Sequence, residues 1–166
     1  RDLVEKEIVP YASEMDETGK LHEGLLEKLA AQGLLGVAIP EEFGGAGLDA
    51  ITIAAIYEEL GKGCAGVATT VAANALASYP VIIAGNDDQK KRYFDIINED
   101  NLAAFALTEP GTSSDAGSIS TRAMKTEDGK GYILNGTKCF ITNGALAEVF
   151  VVFANTRKSG GIRGLT

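Results

Sequence analysis

The sequence predicts an α+β chain, with an all-helical first part over residues 1–100 and a strand-built second part over 101–166. Three observations predict it. Apolar residues recur at helical spacing before Asp100, and short apolar runs replace that spacing after Asn101. The turn dipeptides Asp128-Gly129 and Asn135-Gly136 fall in the second part.

The helical elements follow in order. Leu21, Leu25, Leu29 and Leu34 line one face of an early helix, with Lys20, Glu23, Glu27 and Lys28 elsewhere, and Gly33 and Gly36 loosen its end. Val37-Ala38-Ile39-Pro40 then leads into a turn-rich loop from Glu41 to Gly47. Asp49 is placed to cap a second helix, in which Ile53, Ile56, Tyr57 and Leu60 fall at i, i+3, i+4 and i+7. The uncharged stretch Cys64–Ala84 has the length of a membrane span. Gly66, Thr69, Thr70, Asn74, Ser78 and Pro80 make it too polar and too broken to face lipid, so it predicts a central helix packed on all sides. Gly85 fits its stop, and Asn86-Asp87-Asp88 fits the N-cap of a further helix through Ile97.

Strands are expected at Leu102–Leu107, Tyr132–Leu134, Lys138–Ile141 and Val149–Ala154. Ser118–Thr126 alternates loosely, with Ile119, Thr121 and Ala123 on one side. Asp128-Gly129 and Asn135-Gly136 tolerate the positive φ of tight turns and predict two hairpins. Lys158-Ser159-Gly160-Gly161 reads as a loop, and Leu165-Thr166 as the start of another strand. Four or five strands do not close a barrel or complete two sheets, so the natural polypeptide is expected to continue beyond Thr166. Because the chain opens on Arg1 rather than Met, a removed targeting segment stays open.

Composition excludes several functions. With 45% hydrophobic residues in 166, the chain can fill a core and is not a disordered polymer. Acidic residues outnumber basic ones 23 to 15, and the longest basic cluster is Lys90-Lys91-Arg92, which argues against nucleic acid as a partner. Cys64 and Cys139 are too few for a disulfide framework or a metal set, and point to a reducing compartment. His22 is the only histidine, so neither a Ser-His-Asp triad nor a multi-His metal site is expected; it reads as a surface helix residue.

The run Leu102–Gly117, LAAFALTEPGTSSDAG, carries most of the chemistry. A strand opens into Thr108-Glu109-Pro110-Gly111 and a dense group of hydroxyls ending in Asp115. Backbone N–H groups in such a turn, with the hydroxyls of Thr108, Thr112, Ser113 and Ser114, suit a phosphate or the polar edge of a ring. They suit an ordinary turn with an Asx cap equally well.

This run, FALTEP followed by Ser114-Asp115, resembles the flavin-binding signature of acyl-CoA dehydrogenases. Three further stretches match that family in order. They are Pro40–Leu48 (PEEFGGAGL), Ala84–Lys91, and Tyr132–Lys138 followed by Phe140-Ile141-Thr142-Asn143-Gly144. The resemblance implies an N-terminal helical domain, a middle antiparallel β-barrel or sandwich domain, and a C-terminal helical domain of which this chain holds nothing. It implies FAD and the α,β-dehydrogenation of acyl-CoA thioesters to 2-enoyl-CoA. A carboxylate removes the α proton, hydride passes to flavin N5, and electrons go on to electron-transferring flavoprotein.

Carried over by motif, Phe105, Ala106, Leu107 and Thr108 run beside the flavin, with Thr108 bonding its polar edge. Ser113 and Ser114 continue the contact, and Ser114 also meets the acyl-CoA. Phe140 takes the family's aromatic position against the isoalloxazine, followed by Ile141, and Thr142 places a hydroxyl near N5. The bland alternative makes Phe140 a core strand residue and Thr142 a β-former. Ser113 stands where the family usually has Gly, so its Cβ needs a compatible φ. Phe140 replaces the tryptophan of many members.

No catalytic residue is assigned within the chain. The base glutamate belongs to the missing C-terminal domain; Glu109 is declined for that role, and Glu58 and Glu59 read as solvated helix charges. The acyl pocket is expected along Cys64–Ala84, where Ala72 and Ala75 leave room. The family also implies a homo-oligomer, usually a tetramer, in fatty acid metabolism, in the bacterial cytoplasm or the mitochondrial matrix. The region Thr137–Thr142 is reminiscent of short-chain, butyryl-CoA-type members. Two alternatives stay open: an acyl-CoA oxidase or flavin monooxygenase of the same fold, and a non-catalytic isolated domain without flavin. With half of the flavin site, residues 1–166 alone are expected to hold FAD weakly or not at all and to be inactive.

Overall fold

The structure is a computed structural model that describes residues 1–157 and 164–166. Among the described residues five α-helices precede four short strands: α1 (Ala12–Thr18), α2 (Leu25–Ala31), α3 (Ala50–Gly63), α4 (Ala65–Ala84), α5 (Asp87–Asn98), β1 (Ala103–Ala106), β2 (Arg122–Lys125), β3 (Tyr132–Asn135) and β4 (Val149–Val152). This is the helical part followed by strands that the periodicities predict. The chain divides into two compact units, one of residues 1–104 and 142–149, the other of 105–141 and 150–166.

The first unit is built on the leucine face read from the sequence. Leu25 and Leu29 of α2 are fully buried with Ile8, Leu60, Val67 and Val71, and Leu21 and Leu34 pack partly buried against them. Gly33, at φ +70°, ends α2 and starts a short 3-10 turn at Leu34–Gly36. Asp49 caps α3 as its position predicts, accepting from the Ile51 and Thr52 amides at 2.9 and 3.1 Å. Asn86 and Gln89 form a reciprocal capping box at the start of α5.

Two expectations for this unit are corrected. Among the described residues, α4 alone has the length and apolarity of a membrane span, yet it buries Val67, Val71, Ala73, Asn74, Ala75, Ala77 and Ser78 as a core helix does. It is not packed on all sides, however, since Leu76, Tyr79 and Ile83 at i, i+3 and i+7 are exposed. His22 lies outside any helix and is half-buried. Its ring stacks on Tyr11 with centroids 3.5 Å apart, which a lone histidine in a polar run does not announce.

The glycine run Gly44–Gly47 is a folding device. Gly44 and Gly47 take positive φ, and a Cβ on Gly45 would fall on the Ile39 backbone. The loop therefore lies flat on residues 36–39, held by Ala46 N–H to Gly36 O at 3.1 Å, Gly47 N–H to Ile39 O at 2.8 Å and Leu48 N–H to Val37 O at 3.0 Å.

In the second unit, β2 and β3 form an antiparallel hairpin with Ala123 opposite Leu134 and Met124 opposite Ile133. Asp128-Gly129 turns it as predicted, with Gly129 at φ +70° and the Thr126 amide donating to Gly131 O at 2.9 Å. β1 pairs with β4. Beyond β4, the Asn155 amide donates to Thr121 O at 2.8 Å, and Ala154 and Thr166 exchange amide–carbonyl bonds at 3.0 and 2.9 Å. Leu165 is thus paired as the sequence suggests; the loop expected at Lys158–Gly161 lies outside the described residues.

The other predicted hairpin is not formed. Gly136 does not take a positive φ, and a Cβ there would fall on Thr121, so the pair Asn135-Gly136 ends β3 in a close backbone approach. Nor is Lys138–Ile141 a strand. Phe140 sits in the left-handed region at φ +55°, which no ladder accommodates.

Candidate functional site

Glu109 organises the second unit around itself. Its carboxylate is 5% exposed and accepts from Ser120 twice, through the amide at 2.8 Å and the hydroxyl at 2.6 Å, and from the Thr121 amide at 2.9 Å. Lys138 completes the set at 2.9 Å and also donates to Leu107 O at 2.9 Å. Burial on its own would push this carboxyl up. The donors from Ser120, Thr121 and Lys138 override that and hold it well below the usual carboxylate range. A carboxylate with every lone pair engaged is an anchor and has no free electron pair with which to take a proton.

Three segments meet at this anchor. Glu109 closes a tight loop with Thr112 through paired backbone bonds of 2.9 and 3.0 Å, and the same loop presents Ser113 and Ser114 to solvent. Ser113 has a negative φ, so the Cβ that replaces a glycine carries no strain. The Thr112 hydroxyl is engaged by Asp115 O at 3.1 Å, and the Asp115 side chain caps a 3-10 turn at Ala116–Ser118, accepting from Gly117 N–H at 3.1 Å. Asp115 therefore takes the Asx-cap reading; Ser113 and Ser114 remain available.

The residues expected beside a flavin are placed as follows. Phe105 is half-buried with its ring 4.9 Å from that of Phe153, and Ala106 is buried. The Leu107 carbonyl takes the Lys138 ammonium, and the Thr108 carbonyl accepts from the Cys139 amide at 3.0 Å. Residues 105–108 and 138–141 are thereby tied side by side. Phe140 emerges from that tie 93% exposed, and Ile141 is half-buried.

Thr142 is exposed and belongs to the other unit. There, its neighbour Asn143, at φ +63°, donates to Thr70 O at 3.0 Å and Ala103 O at 3.1 Å. Within the same unit Asn74, fully buried, accepts from the Ala103 amide at 2.8 Å. Sequence reasoning missed Lys138, Asn143 and Asn74. The Asn143-Gly144 dipeptide signals the positive φ of the first, but no local pattern reveals the distant carbonyls these side chains reach. Ala75, expected to leave room for an acyl chain, is 4% exposed and packed against Val37 and Ile53, so its space is filled. Glu58 and Glu59 carry surface pairs, with Lys62 at 3.2 and 3.1 Å.

Residues 1–98 match the family model described as acyl-CoA dehydrogenase, N-terminal domain, and residues 104–166 match acyl-CoA dehydrogenase, middle domain. The 3-(aryl)acrylate reductase of Clostridium sporogenes is 41% identical over the whole chain, which covers 44% of that protein. Among solved structures, butyryl-CoA dehydrogenase from Megasphaera elsdenii superposes with a TM-score of 0.87 at 39% identity, over 99% of this chain and 44% of that one. Acyl-CoA dehydrogenase complexed with FAD from Bacillus anthracis gives 0.82 at 39% identity, over 93% of this chain and 27% of that one. The chain thus spans less than half the length of these relatives.

Proposed function

The chain belongs to the acyl-CoA dehydrogenase family, and from that premise we propose that it forms the N-terminal and first middle-domain part of an FAD-dependent acyl-CoA dehydrogenase. Residues 1–100 would be the helical domain and 101–166 the beginning of the β domain. The single observation that carries the reading is Phe140: a large ring, 93% exposed, held in a backbone conformation that L residues avoid at a cost of about 1–2 kcal/mol. Core packing does not explain such a residue, whereas stacking on a planar ligand does.

The donor set fits an isoalloxazine. Residues 105–108 run from the end of β1 into irregular backbone that carries the Thr108 hydroxyl, and Ser113 and Ser114 add exposed hydroxyls on the adjoining loop. Bound FAD supplies a hydride acceptor for the β hydrogen of the acyl-CoA. The chain's own residues would bind and orient: Thr108 and Ser114 would hold polar edges, and Phe140 would exclude water from one face. No residue here is assigned as base.

A butyryl-CoA dehydrogenase among the superposable structures supports a short acyl substrate. Electron-transferring flavoprotein as acceptor, a homo-oligomeric holoenzyme and a place in the bacterial cytoplasm or mitochondrial matrix are carried over from the family resemblance. A second reading, the same site run toward saturation of an enoyl substrate, is favoured by the reductase relative. The full-length protein decides. Stoichiometric flavin absorbance bleached by butyryl-CoA supports the dehydrogenase. Bleaching only by a reductant, with reoxidation by an enoyl substrate, supports the reductase, and purification without flavin overturns both. Oxygen consumption set against reduction of electron-transferring flavoprotein separates an oxidase.

A further inference from the structure

We propose that Lys138 and Glu109 are positioning residues for the flavin wall, an ion-pair clamp that holds Phe140 in place beside residues 105–108 where no β-ladder does. The inference rests on the flavin reading above and adds a role for two residues that touch no ligand in it.

The segment after β3 has no ladder to hold it. One backbone bond, Cys139 N–H to Thr108 O at 3.0 Å, joins it to the segment it accompanies. A single such bond does not fix a residue one position further on in the left-handed region. Lys138 supplies the missing constraint. Its side chain is 11% exposed and its ammonium bridges Leu107 O and Glu109 Oε1, both at 2.9 Å, so it grips the neighbouring segment on either side of Thr108.

Glu109 is itself held by bonds on both carboxylate oxygens. Ser120 and Thr121 engage it from a third segment, and its side chain is 3% exposed. Gly136 is pressed against that same Thr121, which pins the segment at its other end. Lys138 therefore sits between two fixed points with Phe140 two residues beyond it, and the clamp transmits its geometry to the ring.

An apolar side chain in place of Lys138 would fill volume without that reach, leaving a buried carboxylate short of a partner. Loss of a charged hydrogen bond that positions a binding group corresponds to about a 10- to 100-fold loss in affinity. The test uses the full-length protein, with apo-protein titrated by FAD and the bound flavin's visible absorption recorded.

Lys138→Met is expected to weaken FAD binding by about 10- to 100-fold and to shift the absorption band. Lys138→Arg is expected to restore most of both. Thr126→Val, which removes the hydroxyl bonds that close the β2–β3 turn, is expected to lower stability while leaving FAD affinity and band position unchanged. If Lys138→Met does not fold, Glu109→Gln carries the test and is expected to weaken FAD binding several-fold at a retained fold. Unchanged affinity and spectrum in Lys138→Met or in Glu109→Gln, or equal losses in Thr126→Val, overturn the clamp while the flavin reading stands. A wild-type protein that binds no FAD overturns the flavin reading and the clamp with it.

Discussion

Replacing Asn74 by alanine tests how the first unit is held at its centre. Asn74 is 0% exposed on α4, and its amide makes three connections that no neighbour duplicates. Oδ1 accepts from the Ala103 amide at 2.8 Å, and Nδ2 donates to Asn101 O at 3.2 Å and weakly to Leu35 O at 3.4 Å. Ala103 is itself 0% exposed, so its N–H would be left without protein or solvent, a cost of about 1–3 kcal/mol. The vacated volume adds about 1 kcal/mol. The expected loss is about 2–4 kcal/mol, or a fall in Tm of roughly 6–12 °C for a protein of this size. Urea unfolding followed by far-UV circular dichroism measures it, and hydrogen exchange at the Ala103 amide localises it. Asn74→Leu refills the space and leaves the polar groups stranded, so it is expected to be no more stable than Asn74→Ala. A loss below about 1 kcal/mol in Asn74→Ala, or wild-type stability in Asn74→Leu, refutes the argument.

Acid unfolding reports Glu109. Its folded pKa lies below the unfolded value of about 4.3, so its contribution is complete above that pH and is lost as pH falls below it toward the folded pKa. Glu109→Gln is expected to flatten the stability–pH profile below about pH 4.3, and parallel profiles would count against the anchor. Phe140→Gly is expected to leave the apo-protein as stable as before or up to about 1 kcal/mol more stable, because the ring buries almost nothing and the φ strain is relieved. A destabilisation beyond about 1 kcal/mol in urea would make Phe140 a packing residue. Gly136→Ala drives a Cβ into Thr121 and is expected to cost about 2 kcal/mol or more, while Gly111→Ala, with nothing within 4 Å, is expected to be neutral. Equal Tm values for the two would contradict the close approach. Asn86→Ala removes one half of a capping box and is expected to cost about 1 kcal/mol by the same measurement.

Helices α2 to α5 were legible because their signals are local and periodic, whereas nothing in residues 1–20 announced α1. Asp49 and Asn86 announce starts by chemistry that acts within four residues, and the Leu25–Leu29 face needs only the α-helical repeat. The exposed stripe of Leu76, Tyr79 and Ile83 defeated the same logic. A run without charges is apolar all round, and periodicity gives no face to leave bare. Asp128-Gly129 and Asn135-Gly136 carry equal turn signals; only the first is followed by a strand that returns along its partner. The second was decided by where Thr121 lies, fifteen positions away in sequence, which no dipeptide encodes.

The site was legible as a set of motifs and illegible as a mechanism of placement. Lys138-Cys139-Phe140-Ile141 has the apolar content of a strand, and in a strand Phe140 and Lys138 would share a face and a ladder. A buried ammonium changes the outcome, because it has to be drawn toward acceptors wherever they lie. Leu107 O and Glu109 provide them on the neighbouring segment, and the chain turns through the left-handed region to keep them. Charge satisfaction in the interior thus outranks β-propensity at this point. The ring that the turn displays is a consequence of where a lysine 29 positions from its glutamate finds its partner.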